Sequence, residues 1–167
     1  MIGRVADAAP SGLTHVRADG TAHMVDVSAK AVTARRAEAR GTVLLSAAAV
    51  AALRDGTVPK GDALAVARIA GIQAVKRTPD LVPLAHPVAV HAVEVDLEVT
   101  DAGVALRAEV RTADRTGIEM EALTAVTVGA LALVDMVKAV DKHARITDVR
   151  VTAKSGGRSG DWTEEPA

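Results

Sequence analysis

Asp135 and Lys138, in "LVDMVKAV", lie three residues apart and so share one face of any helix they occupy. Thirteen uncharged residues precede Asp135, and its place near a helix C-terminus is one the macrodipole disfavours for an acid. Two readings follow. One is a polar rim where the helix emerges, held by an ion pair with Lys138 or Lys142. The other is an acid–base pair at the edge of a cleft, with burial and mutual charge tuning both groups toward neutral pH. At the opposite end of the same apolar run, "TGIEMEALT" sets Glu119 and Glu121 around Met120. First-turn acids complement exposed helix N–H groups, but an i, i+2 spacing makes two side chains diverge. One carboxylate can brace the turn while the other faces a pocket, with Met120 offering a soft apolar surface to a flat ring.

The remaining candidates are basic or imidazole groups. "PLAHP" holds His86 between Pro83 and Pro87, in a rigid loop suited to meeting a phosphate or ring nitrogen, or simply to a structural surface histidine. His91 falls on the other face if that segment is a strand, so a two-histidine metal clamp is not expected. Lys60 precedes Gly61-Asp62 at a helix start, where an ammonium and backbone N–H groups can hold an anion together, or where a loop lysine is merely exposed. "AKSGGRSGD" places Lys154 and Arg158 in a glycine-rich tail that lacks the phosphate-loop pattern, and Arg35 and Arg36 add charge near the first strand.

Elements that must position these groups are legible in the hydrophobic pattern. Residues 1–22 mix Gly, Pro, Asp and Ser without periodicity and read as a flexible arm, before a single domain over 23–161 and a tail at 162–167. A strand is expected around 34–45. Ser46 caps a short helix that stops at Gly56, and Asp62 caps a second with Leu64, Ala67, Ile69, Ala70 and Ile72 at helical spacing. Pro79, Pro83 and Pro87 predict an extended loop. Val93, Val95, Leu97 and Val99 alternate with acids, "TDAG" turns the chain, and Val104 to Val110 alternate with Arg107, Glu109 and Arg111. That is a hairpin whose arginines face acids opposite. A helix over 118–140 and a final strand, with Val149, Val151 and Ala153 alternating with polar residues, complete the order strand, helix pair, strand, strand, helix, strand. This predicts an α+β, ferredoxin-like antiparallel sheet with helices on one face.

The totals narrow the function. A chain of 167 residues with 20 basic and 21 acidic side chains is not built for nucleic acid as its main partner, whereas a small anionic or zwitterionic ligand fits. Without cysteine there is no disulfide, thiolate metal site or cysteine nucleophile, and the expected location is cytoplasmic. The uncharged run from Ala122 to Val134 is short for a bilayer and reads as a core or subunit-interface helix, so no membrane partner is expected. With one aromatic residue, Trp162, the core must be built from small aliphatic side chains that let helices approach closely.

In order and spacing, "HMVDVSAKAVT", "KGDALAVARIAGIQAVKRTPDLVPLAHP", "TGIEMEALTAVTVGALALVDMVKAV" and "AKSGGRSGD" closely resemble the MoaC family of molybdenum cofactor biosynthesis, over about residues 14–161. The resemblance implies a cyclic pyranopterin monophosphate synthase activity that rearranges 3′,8-cyclo-7,8-dihydro-GTP and releases pyrophosphate. It further implies a lyase using general acid/base catalysis, in a homohexamer of three dimers with sites between subunits; with no ligand motif in the sequence, no metal or cofactor is expected. By that resemblance Asp135, Lys138 and Lys60 are catalytic, and Leu84, Ala85, His86, Glu119, Met120 and Glu121 contact substrate. Arg35 and Lys154 would lie near the triphosphate. The family loop usually reads Pro-Leu-Cys-His-Pro, and this chain has Ala85 at the third position. The competing expectation is a ferredoxin-like module that binds a nucleotide or pterin without turnover.

Overall fold

A computed structural model describes residues 15–17, 19–158 and 160–165 of the chain. The strands are β1 (Thr33–Leu44), β2 (Val90–Thr100), β3 (Gly103–Asp114), β4 (Arg145–Ser155) and β5 (Trp162–Thr163), and the helices are α1 (Ala47–Arg54), α2 (Ala63–Val75), α3 (Thr78–Leu81) and α4 (Glu119–Val137). They form one antiparallel sheet in the order β2-β3-β1-β4-β5. Without β5 this is the strand order of the ferredoxin-like α+β fold, as expected. Much of the expected N-terminal arm lies outside the described residues; within them Val16 bridges Ala22.

Local chemistry accounts for the helix starts. Ser46 accepts a hydrogen bond from the Ala49 N–H at 3.4 Å, and Asp62 accepts one from Ala65 at 2.9 Å, each satisfying a donor that has no partner within its helix. The extended loop expected at the prolines is in part a helix instead. Pro79 sits in the first turn of α3, where its missing N–H and fixed φ are tolerated, and the buried Thr78 hydroxyl donates to the Val75 carbonyl at 3.1 Å. Helix α4 also stops earlier than expected, with Lys138 as its C-cap.

One face of the sheet carries Ala37, Ala39, Val43, Val95, Val104, Leu106, Ala108 and Val110 into the core, where α4 contributes Ala122, Ala125, Val126, Ala130 and Leu133. By length and composition α4 could cross a membrane, yet 56% of its most apolar window is buried inside the fold, as in a core helix. Helices α2 and α4 meet through backbone and small side chains. A Cβ at Gly71 would come within 3.0 Å of the Ala125 carbonyl, and one at Gly129 within 3.3 Å of the Ala67 carbonyl. The buried stripe of α2 is therefore Ala63, Ala67, Gly71, Ala74 and Val75, while Ile69 is 58% exposed.

The other face of the sheet is a lattice of charge. Glu38 and Glu109 lie opposite each other on β1 and β3 and are nearly buried. Glu109 meets Arg36 at 2.6 Å and Arg107 and Arg111 at 2.7 Å, while Glu38 meets Arg107 at 2.8 Å and Arg40 at 3.0 Å. The expected hairpin pairs also form, Arg107 to Asp96 at 3.1 Å and Arg111 to Glu94 at 3.8 Å. Strict alternation fails in β4: Thr152 and Ala153 are both buried, because register shifts against β1 between Glu38 and Ala39 and between Arg40 and Thr42 rotate successive side chains. The Thr152 hydroxyl donates to Glu38 at 2.9 Å.

Candidate active site

Helix α4 carries a chemically distinct cluster at each end. At its C-terminal end the Lys138 ammonium lies 2.7 Å from Asp135 Oδ1, the i, i+3 contact expected of one helix face. Lys60 arrives from the turn between α1 and α2. Its Nζ donates to Asp135 Oδ2 at 2.7 Å and to the Asp135 carbonyl at 2.8 Å, so one lysine both pairs the acid and satisfies a terminal helix carbonyl. Hydrogen bonds from Lys138 and then Lys60 hold the Asp135 carboxyl down at about 2. All three side chains are more than a third exposed. This corrects the expectation that burial and mutual charge tune the pair toward neutral pH: within one chain Asp135 is a solvated, firmly ionised carboxylate that orders two ammonium groups.

At the N-terminal end, α4 meets the α3–β2 loop and the segment before β1 around a cavity of about 730 Å³. Leu84, Ala85, His86, Glu119, Met120 and Glu121 all line it. Glu121 is 3% exposed, and desolvation, with a smaller push from the neighbouring Glu119 charge, raises its carboxyl to about 7. It can therefore donate as well as accept near neutral pH, the property a group needs to hold or exchange a proton with a ring nitrogen or carbonyl. Met120, 42% exposed, presents its thioether beside it. His86 Nε2 lies 2.7 Å from the Val25 carbonyl, which ties the proline-bounded loop to the segment that walls the cavity. Glu119 reaches Lys154 at 3.6 Å. Both glutamates line the one cavity, so their i, i+2 spacing does not send them to different surroundings.

A second recess of about 560 Å³ adjoins the first and shares Lys30, Thr116, Gly117 and Arg158 with it. Its charged lining is Lys30, Arg35, Arg115 and Arg158, with no carboxylate among the described residues. Arg35 Nε donates to the Asp114 carbonyl at 2.9 Å, and Arg115 Nε to the Lys30 carbonyl at 3.0 Å, so backbone carbonyls orient both guanidinium groups. A cavity holding a carboxyl that can donate or accept thus adjoins a recess lined by positive charge, an arrangement that suits a heterocycle bearing phosphates. Among the described residues no group of three or more His, Asp or Glu side chains is placed to hold a metal ion, and His91 Nδ1 instead accepts the Ala113 N–H at 3.1 Å.

Residues 24–157 match the family model described as "MoaC family". The chain belongs to the MoaC family. MoaC relatives named cyclic pyranopterin monophosphate synthase resemble it along nearly their whole length. The protein of Nocardioides sp. is 62% identical over 157 residues, 92% of this chain and 96% of its own. That of Streptomyces coelicolor is 64% identical over 151 residues, 90% and 89% of the two chains, and that of Corynebacterium efficiens 57% over 153 residues, 92% and 99%. Against this MoaC background, the fold gathers Asp135, Lys138 and Lys60 into one cluster and the six ring-cavity residues into another, with Arg35 in the basic recess. Lys154 is not among the residues lining either recess, and its ammonium lies 3.6 Å from Glu119. Sequence reasoning passed over Lys30 and Arg115. Their one signal was adjacency, Lys30 closing "VDVSAK" and Arg115 opening the "RTG" that leads into α4.

Proposed function

We propose that this protein is a cyclic pyranopterin monophosphate synthase, converting 3′,8-cyclo-7,8-dihydro-GTP to cyclic pyranopterin monophosphate with release of pyrophosphate. The observation that carries the reading is the continuity of the Glu121 cavity with the acid-free basic recess, which matches a guanine-derived ring system joined to a triphosphate. Glu121 and Met120 take the ring, and Arg35, with Lys30, Arg115 and Arg158, takes the phosphates. Lyase chemistry then needs two things. Opening and reclosing the rings requires protons to move on and off nitrogen and oxygen, the work assigned to Asp135, Lys138 and Lys60. Closing the cyclic phosphate requires a sugar hydroxyl to attack the α-phosphorus while pyrophosphate leaves, with the basic residues stabilising charge on the phosphoryl oxygens.

A single chain does not bring these groups together. Glu121 and Asp135 are fourteen residues apart on α4, about 21 Å at roughly 1.5 Å per residue, whereas proton transfer needs a group within about 3 Å of the reacting atom. The reading therefore includes assembly: one subunit supplies the ring cavity and another the Asp135 cluster. The exposed apolar side chains Val66, Ile69 and Leu131, on the helices beside Asp135, support a subunit contact there, in keeping with a homohexamer of three dimers. The competing module would bind without turnover. Incubating the purified protein with 3′,8-cyclo-7,8-dihydro-GTP and assaying pyrophosphate and the pterin product separates the two, and tight binding without product would refute the synthase reading.

A further inference from the structure

The glycine pair after β4 stands where the tail crosses β1. Gly156 and Gly157 both have left-handed backbones, with φ of 85° and 78°, but their surroundings differ. A Cβ on Gly156 would overlap the Ala34 carbonyl oxygen, part of a strand that cannot move. A Cβ on Gly157 would overlap Nη1 of Arg35 and lie 3.0 Å from Cζ and 3.3 Å from Nη2. Its obstacle is the end of a side chain. The first glycine therefore lets the tail pass, and the second leaves space that a guanidinium fills.

We propose that Gly157 is a positioning residue for phosphate recognition: by closing over the Nη1 end of the Arg35 guanidinium it holds that group in the basic recess. The reasoning rests on the triphosphate reading of that recess. Arg35 is fixed on two sides. Its Nε donates to the Asp114 carbonyl at 2.9 Å, and the Gly157 backbone closes over the Nη1 edge, so the guanidinium has one place to lie, along the wall of the recess that both residues line. A methyl at Gly157 cannot coexist with that placement, and the side chain, not the strand, is what yields. The glycine-rich tail then contributes the seat of a cation, where a phosphate-binding loop would contribute backbone N–H groups.

The test is a double-mutant cycle on the full-length protein with Gly157→Ala, Arg35→Ala and the combination. Gly160→Ala serves as the strain control, since Gly160 also has a positive φ, 66°, but a Cβ there meets nothing within 4 Å. Two readouts are taken: KM and kcat with 3′,8-cyclo-7,8-dihydro-GTP, and the competitive inhibition constant of inorganic tripolyphosphate, which carries the charge without the ring. Gly157→Ala is expected to raise KM and the tripolyphosphate constant together by roughly tenfold or more, as for a misplaced charged hydrogen-bonding group, with kcat little changed. The double variant should be no worse than Arg35→Ala alone. If the two single effects multiply, or Gly160→Ala matches Gly157→Ala in both readouts, the positioning role is overturned while the triphosphate reading stands. If Arg35→Ala leaves both constants unchanged, the triphosphate reading and the positioning role fall together.

Discussion

Mixing two differently damaged subunits tests the assembly of the site directly. Take Asp135→Asn, which removes the carboxylate that orders Lys60 and Lys138 at 2.7 Å, and Glu121→Gln, which removes the titrating group of the ring cavity. Each variant alone should lose roughly a hundredfold or more in turnover. The separation of about 21 Å along α4 then sets the outcome of the mixture. If each site draws Glu121 from one subunit and Asp135 from another, a mixed dimer has one site carrying both substitutions and one carrying neither. Random pairing makes about half the dimers mixed, so about a quarter of wild-type turnover returns. Co-expression with two affinity tags, followed by pyrophosphate release assays on singly and doubly tagged fractions, reads this out. In a hexamer of three dimers nearly all assemblies carry both tags, so the doubly tagged fraction should also recover about a quarter of wild-type activity. Doubly tagged material at the roughly one per cent level of its parents would refute the shared-site reasoning.

Other expectations are more local. Lys138→Ala should lower kcat roughly a hundredfold with an unchanged melting temperature, and full turnover would remove Lys138 from the mechanism. Glu121 is neutral in the folded chain up to about pH 7 but ionises near the ordinary 4.5 when unfolded, so the folded state retains a proton the unfolded state releases. Its contribution is fully present below about pH 4.5 and lost as pH rises through about 7; Glu121→Gln should therefore gain roughly 3 kcal/mol over the native chain at pH 8 and little at pH 4, by denaturant titration. A gain independent of pH would contradict the raised carboxyl. Glu109 shows the opposite sign: hydrogen bonding to Arg36 first, and to Arg111, holds it at about 2, so its stabilisation is complete above pH 4.5 and lost as pH falls through about 2. Glu109→Ala should cost roughly 1–3 kcal/mol at pH 7, reduced because the arginines are partly solvated, and an unchanged melt would show the lattice to be neutral. Turnover should persist after dialysis against a chelator, and loss that is restored by an added divalent ion would contradict a metal-free reaction.

The period-two pattern of the hairpin and the capping residues Ser46 and Asp62 were legible because they depend on near neighbours in the chain. The β4 bulges were not, since they answer to β1, more than a hundred residues away. Pro79 misled because proline is read as a helix breaker, and only the first-turn position it occupies makes it acceptable. At the site, spacing correctly joined Asp135 to Lys138, whereas Glu119 and Glu121, expected to diverge, line one cavity. It did not reveal that Lys60 reaches Asp135 across 75 residues, nor that Lys30 and Arg115 share a recess with Arg35. Direction of a pKa shift was the least legible property. Asp135 and Glu121 are carboxyls of one helix, and hydrogen bonds from Lys138 and Lys60 send one down while burial sends the other up.

Helix α4 is also a ruler. On the shared-site reading its two ends serve different sites, so its residue count sets the phase between them as well as their spacing. Inserting one residue near its middle, say beside Gly129, would turn one end against the other by about 100° and lengthen the rod by about 1.5 Å. Either the ring cavity or the Asp135 cluster would then face the wrong way, although no side chain of either had been altered. Length changes in this buried, chemically plain stretch should therefore be as damaging as substitutions at the reacting groups, and through two sites at once.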